Sequence, residues 1–183
     1  MAKNTGAKIM AHYRETDSQE KIQNQLIFLL KKKGFPIRPL VMLCIGSDRY
    51  TGDALGPLIG SHLLEHTDSI VYGTLDFPVH AGNLVETVQM IQCRHEESLI
   101  IAVDACLGKA NEIGNIEVWE GGIEAGIAVG HRLPSVGDIS IIGVVNSGGK
   151  IGYLDLQNTP LSTVMKLSRV ISSALEGALQ HYS

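Results

Sequence analysis

The chain has 183 residues, 44% of them hydrophobic and 19% charged, and a net charge of −4. That length suits one well-buried domain and is short for two, so 1–183 reads as a single domain with a loose N-terminal arm over 1–17 and a core from about residue 18. The mildly acidic balance lacks the basic footprint of a nucleic-acid binder, and no apolar run approaches the ~20 residues that cross a bilayer. The expectation is a cytoplasmic protein with neither nucleic acid nor membrane as partner.

The first helix signal is SQEKIQNQLIFLLKKKG, with Thr16 or Asp17 as N-cap. Its Ile22, Leu26, Leu29 and Leu30 share a face, lysines fill its last turn, and Gly34 stops it. LVMLCIG is then a continuous apolar run of strand length, the pattern of a central strand covered on both faces. After the loop SDRYTGD, ALGPLIGSHLLEH carries Leu55, Ile59, Leu63 and Leu64 at helical spacing, with Asp53 placed to cap it and Pro57 tolerated in the first turn. SIVYGTLDF predicts a strand, PVHAGN a loop, LVETVQMIQCRH a helix and SLIIAVDA a third strand. IEVWEGG and ISIIGVVN follow as strands on either side of a Gly-rich stretch, and a last helix spans about Leu161 to Gln180. This alternation predicts a three-layer αβα architecture around a mostly parallel, twisted sheet of about five strands.

Two aspartates stand just past predicted buried strands: Asp53 in IGSDRYTGDALGP and Asp104 in LIIAVDACLG. An apolar strand that stops on a carboxylate delivers it to one edge of a parallel sheet, where open α/β proteins build their sites. If the first and third strands are neighbours, the two carboxylates face one crevice. Two carboxyl groups that close do not both ionise cheaply, so one keeps a proton near neutral pH while the other can take one from water. Such a pair suits amide hydrolysis. The plainer reading of the same residues makes Asp53 an N-cap and Asp104 a turn acceptor.

His131, in the Gly-rich IAVGHRLPSVGD, is the candidate third group, as a metal ligand or as the residue that orients water. His80 in PVHAGN is a weaker contender, while His62, His66, His95 and His181 lie at helix ends where solvent or the helix dipole accounts for them. Gly82 and Asn83 of that loop, with Gly122, Gly126 and Gly130 of the strap GGIEAGIAVG, are candidates for holding an extended peptide against the crevice. Cys44, Cys93 and Cys106 read as reduced thiols. Cys106 follows Asp104 by two residues and is weighed as a nucleophile, with no neighbouring cation to lower its pKa. The glycines of GSDRYTGDALG match neither GxGxxG nor a GKS or GKT ending, so a nucleotide is not indicated.

From about Leu40 to Asn146 these residues resemble a known group. IGSDRYTGDALGP, LIIAVDACLG and GGIEAGIAVGHRLP look like the two aspartate segments and the Gly-rich stretch of the germination proteases of endospore-forming bacteria. The YyaC-type sporulation proteins, smaller relatives of those proteases, fit best. The resemblance implies a hydrogenase maturation protease-like, phosphorylase/hydrolase-like fold, with Asp53 and Asp104 at the catalytic aspartate positions. It implies a peptidase acting on a spore protein, with small acid-soluble spore proteins as candidate substrates and the forespore or spore interior as location. In hydrogenase maturation proteases the matching carboxylate, carboxylate and histidine bind nickel of the substrate protein. Asp53, Asp104 and His131 are therefore also a candidate set for a divalent metal, nickel or zinc, and no other cofactor is implied. The alternatives are a nickel-dependent maturation protease and a non-catalytic peptide-binding protein. A homo-oligomer formed through an apolar sheet edge or helix is a further expectation.

Overall fold

The computed structural model describes residues 8–124, 135–149 and 151–182. Six strands form one sheet in the order β1-β5-β6-β4-β2-β3. They are β1 (Ile9–His12), β2 (Leu40–Cys44), β3 (Ile70–Tyr72), β4 (Leu99–Gly108), β5 (Asn115–Glu120) and β6 (Ile139–Ser147). The helices are α1 (Ser18–Lys32), α2 (Leu55–His66), α3 (Leu84–Arg94), α4 (Gly152–Gln157) and α5 (Leu161–Gln180). β3, β2, β4 and β6 run parallel, β5 lies antiparallel to β6, and β1 lies antiparallel to β5.

Side-chain alternation along the strands divides the core in two. Leu40, Met42 and Cys44 of β2 and Leu99, Ile101, Val103 and Ala105 of β4 pack with the buried stripes of α1, α2 and α5. Val41, Leu43 and Ala102 look to the other face, where Leu84 and Ile91 of α3 meet them. The crossovers explain this division. The chain leaves β2 for β3 on one side through α2, then returns past β2 to β4 on the other side through α3. Right-handed connections in opposite directions put the two helices on opposite faces. Among the described residues three long helices cover one face and α3 covers the other, where Ile123 and Val136 also pack.

Three expectations are corrected. The sheet has six strands, because Ile9–His12, expected to be part of a loose arm, pairs with Asn115–Val118 and buries Ala11. Four residues are too few for strand periodicity to show. β4 runs on to Gly108, so Asp104 lies within the strand and not past its end. Asp53 does not cap α2: it sits in a 3-10 turn, Thr51–Ala54, that leads directly into the helix, and Ala54 stands at the N-cap with no side-chain cap. The short α4, which braces that turn, carries too little pattern to be read from sequence.

Candidate active site

β2 is five residues long and β4 is ten. Their pairing ends at Cys44 with Val103, and the Ile45 N–H closes it by donating to the Val103 carbonyl. β2 then turns away: Ile45 bridges to Val79, and the Gly46 N–H donates to the Val79 carbonyl at 2.7 Å. Among the described residues, β4 from Asp104 onward pairs with β6 alone, with Asp104 opposite Ile142. Asp104 is thus the first residue of β4 freed of its β2 neighbour. By alternation from Ile100 and Ala102 it lies on the face that α3 covers, at the switch point between β2 and β4.

The turn after β2 brings Asp53 to the same place. Gly46 has φ +141°, and a Cβ there would overlap the Asp53 carbonyl oxygen, so only glycine lets the two backbone segments close. The Ser47 N–H donates to the Asp53 carbonyl at 3.1 Å and the Asp53 N–H to the Tyr50 carbonyl at 3.0 Å. Behind the turn, Gly52 is pressed against Leu156 and Thr159 at the end of α4. Because the helix takes no cap from Asp53, its carboxyl group is not committed to the backbone of α2.

Asp53 and Asp104 line one cavity of about 400 Å³, together with Ile45, His80, Cys106, Trp119 and Ile142. The walls are mostly apolar and leave both carboxyl groups half-buried. Burial pushes Asp53 up to about 6, against a smaller opposing hydrogen bond from the Ser47 backbone. Asp104 is raised well above the usual carboxylate range, first by burial and then by the charge of Asp53, and the Ala105 N–H donated to its Oδ1 at 2.8 Å offsets this only partly. Of the two, Asp53 gives up its proton more readily and Asp104, more deeply buried and facing the charge of Asp53, holds its own more tightly. The pair is therefore asymmetric, with the lower proton affinity on the turn and the higher on the strand.

The other expected site residues divide three ways. Gly122 is in the cavity wall. From the PVHAGN loop the wall takes His80 and Ala81, while Asn83 shapes the loop: its Oδ1 accepts from the His80 N–H at 2.8 Å and its Nδ2 donates to the Pro78 carbonyl at 3.1 Å. The Gly82 N–H donates to Nδ1 of His80 at 3.1 Å. His131, Gly126 and Gly130 lie outside the described residues. Cys106 lines the cavity, but burial, reinforced by Glu117 and Asp104, pushes its thiol up to about 12, so it is no thiolate nucleophile at neutral pH. Trp119 and Ile142 were not singled out in the sequence. The signal for them is strand parity, which needs the antiparallel pairing of β5 with β6 to be known first.

These features define a class: an α/β protein with a partly buried aspartate pair in an apolar cavity at the switch point of its sheet. The chain belongs to the family described as "Protein of unknown function (DUF1256)", which it matches over residues 10–174. It is similar to "Uncharacterized protein YyaC" of Bacillus subtilis (strain 168), with 39% identity over 170 residues that cover 92% of this chain and 83% of that protein.

Proposed function

We propose that this protein is a sporulation-associated peptidase, related to the germination proteases, that hydrolyses peptide bonds of a spore protein with Asp53 and Asp104. The observation that carries the reading is the pair itself, two carboxyl groups in one apolar cavity with unequal proton affinities. In this scheme ionised Asp53 takes a proton from a water molecule as the water oxygen attacks the scissile carbonyl carbon. Protonated Asp104 donates a hydrogen bond to the carbonyl oxygen as it gains negative charge. When the tetrahedral species collapses the C–N bond breaks, the leaving nitrogen receives a proton, and the pair returns to its starting state. His131 assists by orienting the water. A cytoplasmic setting in the forespore belongs to the same proposal.

The apolar wall favours a second reading, in which the cavity grips an extended peptide without cutting it; Ile45, Leu107, Trp119 and Ile142 supply mostly apolar grip. In the nickel-dependent version the metal is part of the substrate and is held by Asp53, Asp104 and His131.

The test is incubation of wild-type protein and the Asp53→Asn, Asp104→Asn double variant with small acid-soluble spore proteins, with and without chelator, read by intact mass. Cleavage by wild type alone is expected, with a rate that rises as pH passes about 6, where Asp53 loses its proton, and falls when Asp104 loses its own. Peptide binding without cleavage in any arm would replace the peptidase with the binding protein. Cleavage that chelator abolishes and metal restores would favour the metal-dependent version.

A further inference from the structure

At the opposite end of α2 a second cluster stands apart from the aspartates. α2 starts beside Asp53 and runs 12 residues to His66, about 18 Å at 1.5 Å per residue. His62 and His66 are one turn apart on its surface, their rings stacked with centroids 4.2 Å apart and planes at 14°. Glu176 of α5 reaches the first of them, Oε1 lying 2.7 Å from Nε2 of His62. Among the described residues these three alone form a group of His, Cys, Asp or Glu side chains with one ligand atom each inside a 4.8 Å sphere of mutual distance.

We propose that His62, His66 and Glu176 form a zinc-type transition-metal site that clamps the C-terminal end of α2 to that of α5. The chemistry of the set is right for it: two imidazole nitrogens and one carboxylate oxygen are a common three-ligand complement for zinc, with the fourth position left to water. Ligands ~2.0–2.1 Å from a tetrahedral ion lie roughly 3.4 Å apart, so small side-chain rotations bring the three atoms from their present spacing onto one ion.

Two further features prepare the site. Nδ1 of His66 lies 2.8 Å from the His62 carbonyl oxygen. A carbonyl only accepts, so Nδ1 carries the hydrogen and Nε2 presents a lone pair, the tautomer-fixing arrangement found behind metal-bound histidines. Second, α2 and α5 both run antiparallel to the parallel strands they cross, so they are parallel to each other and their C-terminal ends converge here. The negative ends of two helix dipoles then favour a cation at this point. A cavity of about 300 Å³ lined by His66, Thr67, Asp68 and Glu176 among others adjoins the cluster, so an ion bound there could be reached from solvent.

The test uses the Asp53→Asn, Asp104→Asn protein, in which the aspartate cavity offers no carboxylate pair. After chelator treatment it is titrated with Zn2+ by calorimetry and with Co2+ by visible absorption. One equivalent should bind, Co2+ should give the intense bands of a tetrahedral complex, and Zn2+ should raise the thermal midpoint. Adding Glu176→Gln or His66→Gln, both on accessible positions where the fold should survive, should weaken binding at least ~10–100-fold, the loss seen even for outer partners. Adding His62→Ala together with His66→Ala should abolish the Zn2+-dependent rise in midpoint. Failure of the parent protein to bind either metal, or binding unchanged when both histidines are replaced, would overturn the proposal and leave His62 and Glu176 as a hydrogen-bonded pair.

Discussion

Asp53 is held at a cost to the fold. A carboxyl group that titrates near 6 in the folded protein and near 3.8 when exposed is disfavoured in its charged form by folding. The sign follows from linkage: the folded state is favoured while Asp53 is protonated, below about 3.8, and this contribution is lost as pH rises to about 6. At pH 8 the penalty is on the order of 3 kcal/mol. Asp53→Asn should therefore raise the denaturation midpoint at pH 8 and change it little at pH 4, which paired urea titrations would show. An equal effect at both pH values would mean that Asp53 is not desolvated. That this residue shares a cavity with Asp104 was legible in the sequence, since it follows an apolar strand and a glycine-containing loop. Its conformation was not, because an aspartate before a helical pattern looks the same whether it caps the helix or precedes it in a 3-10 turn.

Among the elements, α2 links the two ends of the molecule, and small residues press it onto the sheet. Gly60 faces the backbone where β3 ends, and a Cβ there would overlap the Gly73 carbonyl oxygen and approach Cβ of Cys44 at 3.1 Å. Neither backbone can give way without disturbing the β2 and β3 pairing. Gly60→Ala should cost roughly 1–3 kcal/mol, the usual range for overpacking, measured by chemical denaturation. Gly148→Ala is the matched control: its nearest neighbour would be Cβ of Leu107 at an ordinary 3.5 Å, so its stability should stay within about 0.5 kcal/mol of wild type. Equal effects of the two substitutions would refute the close-packing account. The helical period of α2 and its buried Leu55, Ile59 and Leu63 were readable from spacing alone. That its glycines touch strand backbone was not, because helix periodicity reports which face is buried and not how near its neighbour lies.

On the scale of the whole molecule, the sheet is finished by a strand from the N-terminal segment. β1 covers the outer edge of β5, Ala11 is buried there, and Lys8 pairs with Glu117. An uncovered edge offers unpaired N–H and C=O groups to other chains. Removal of residues 1–13 should lower the thermal midpoint by at least about 4 °C, equivalent to a loss of ~1–2 kcal/mol in a chain of this size, and should promote self-association visible by light scattering. A truncated protein that kept the wild-type midpoint and stayed monodisperse would show that β1 adds nothing to the sheet. No helix among the described residues is long and apolar enough to cross a membrane.

The sequence by itself determined the order of helices and core strands, because hydrophobic period and strand-length apolar runs are local properties, and α5 matches its expected span of Leu161 to Gln180. It also marked the two aspartates, since one follows an apolar run and the other interrupts one. Only the tertiary structure decided that β4 outlasts β2, which is what leaves Asp104 without its β2 neighbour. It alone decided that β6 enters between β4 and β5, that β1 closes the sheet, and that His62, His66 and Glu176 meet. Each of those depends on pairing between segments far apart in the chain, and pairing partners leave no period in either segment alone.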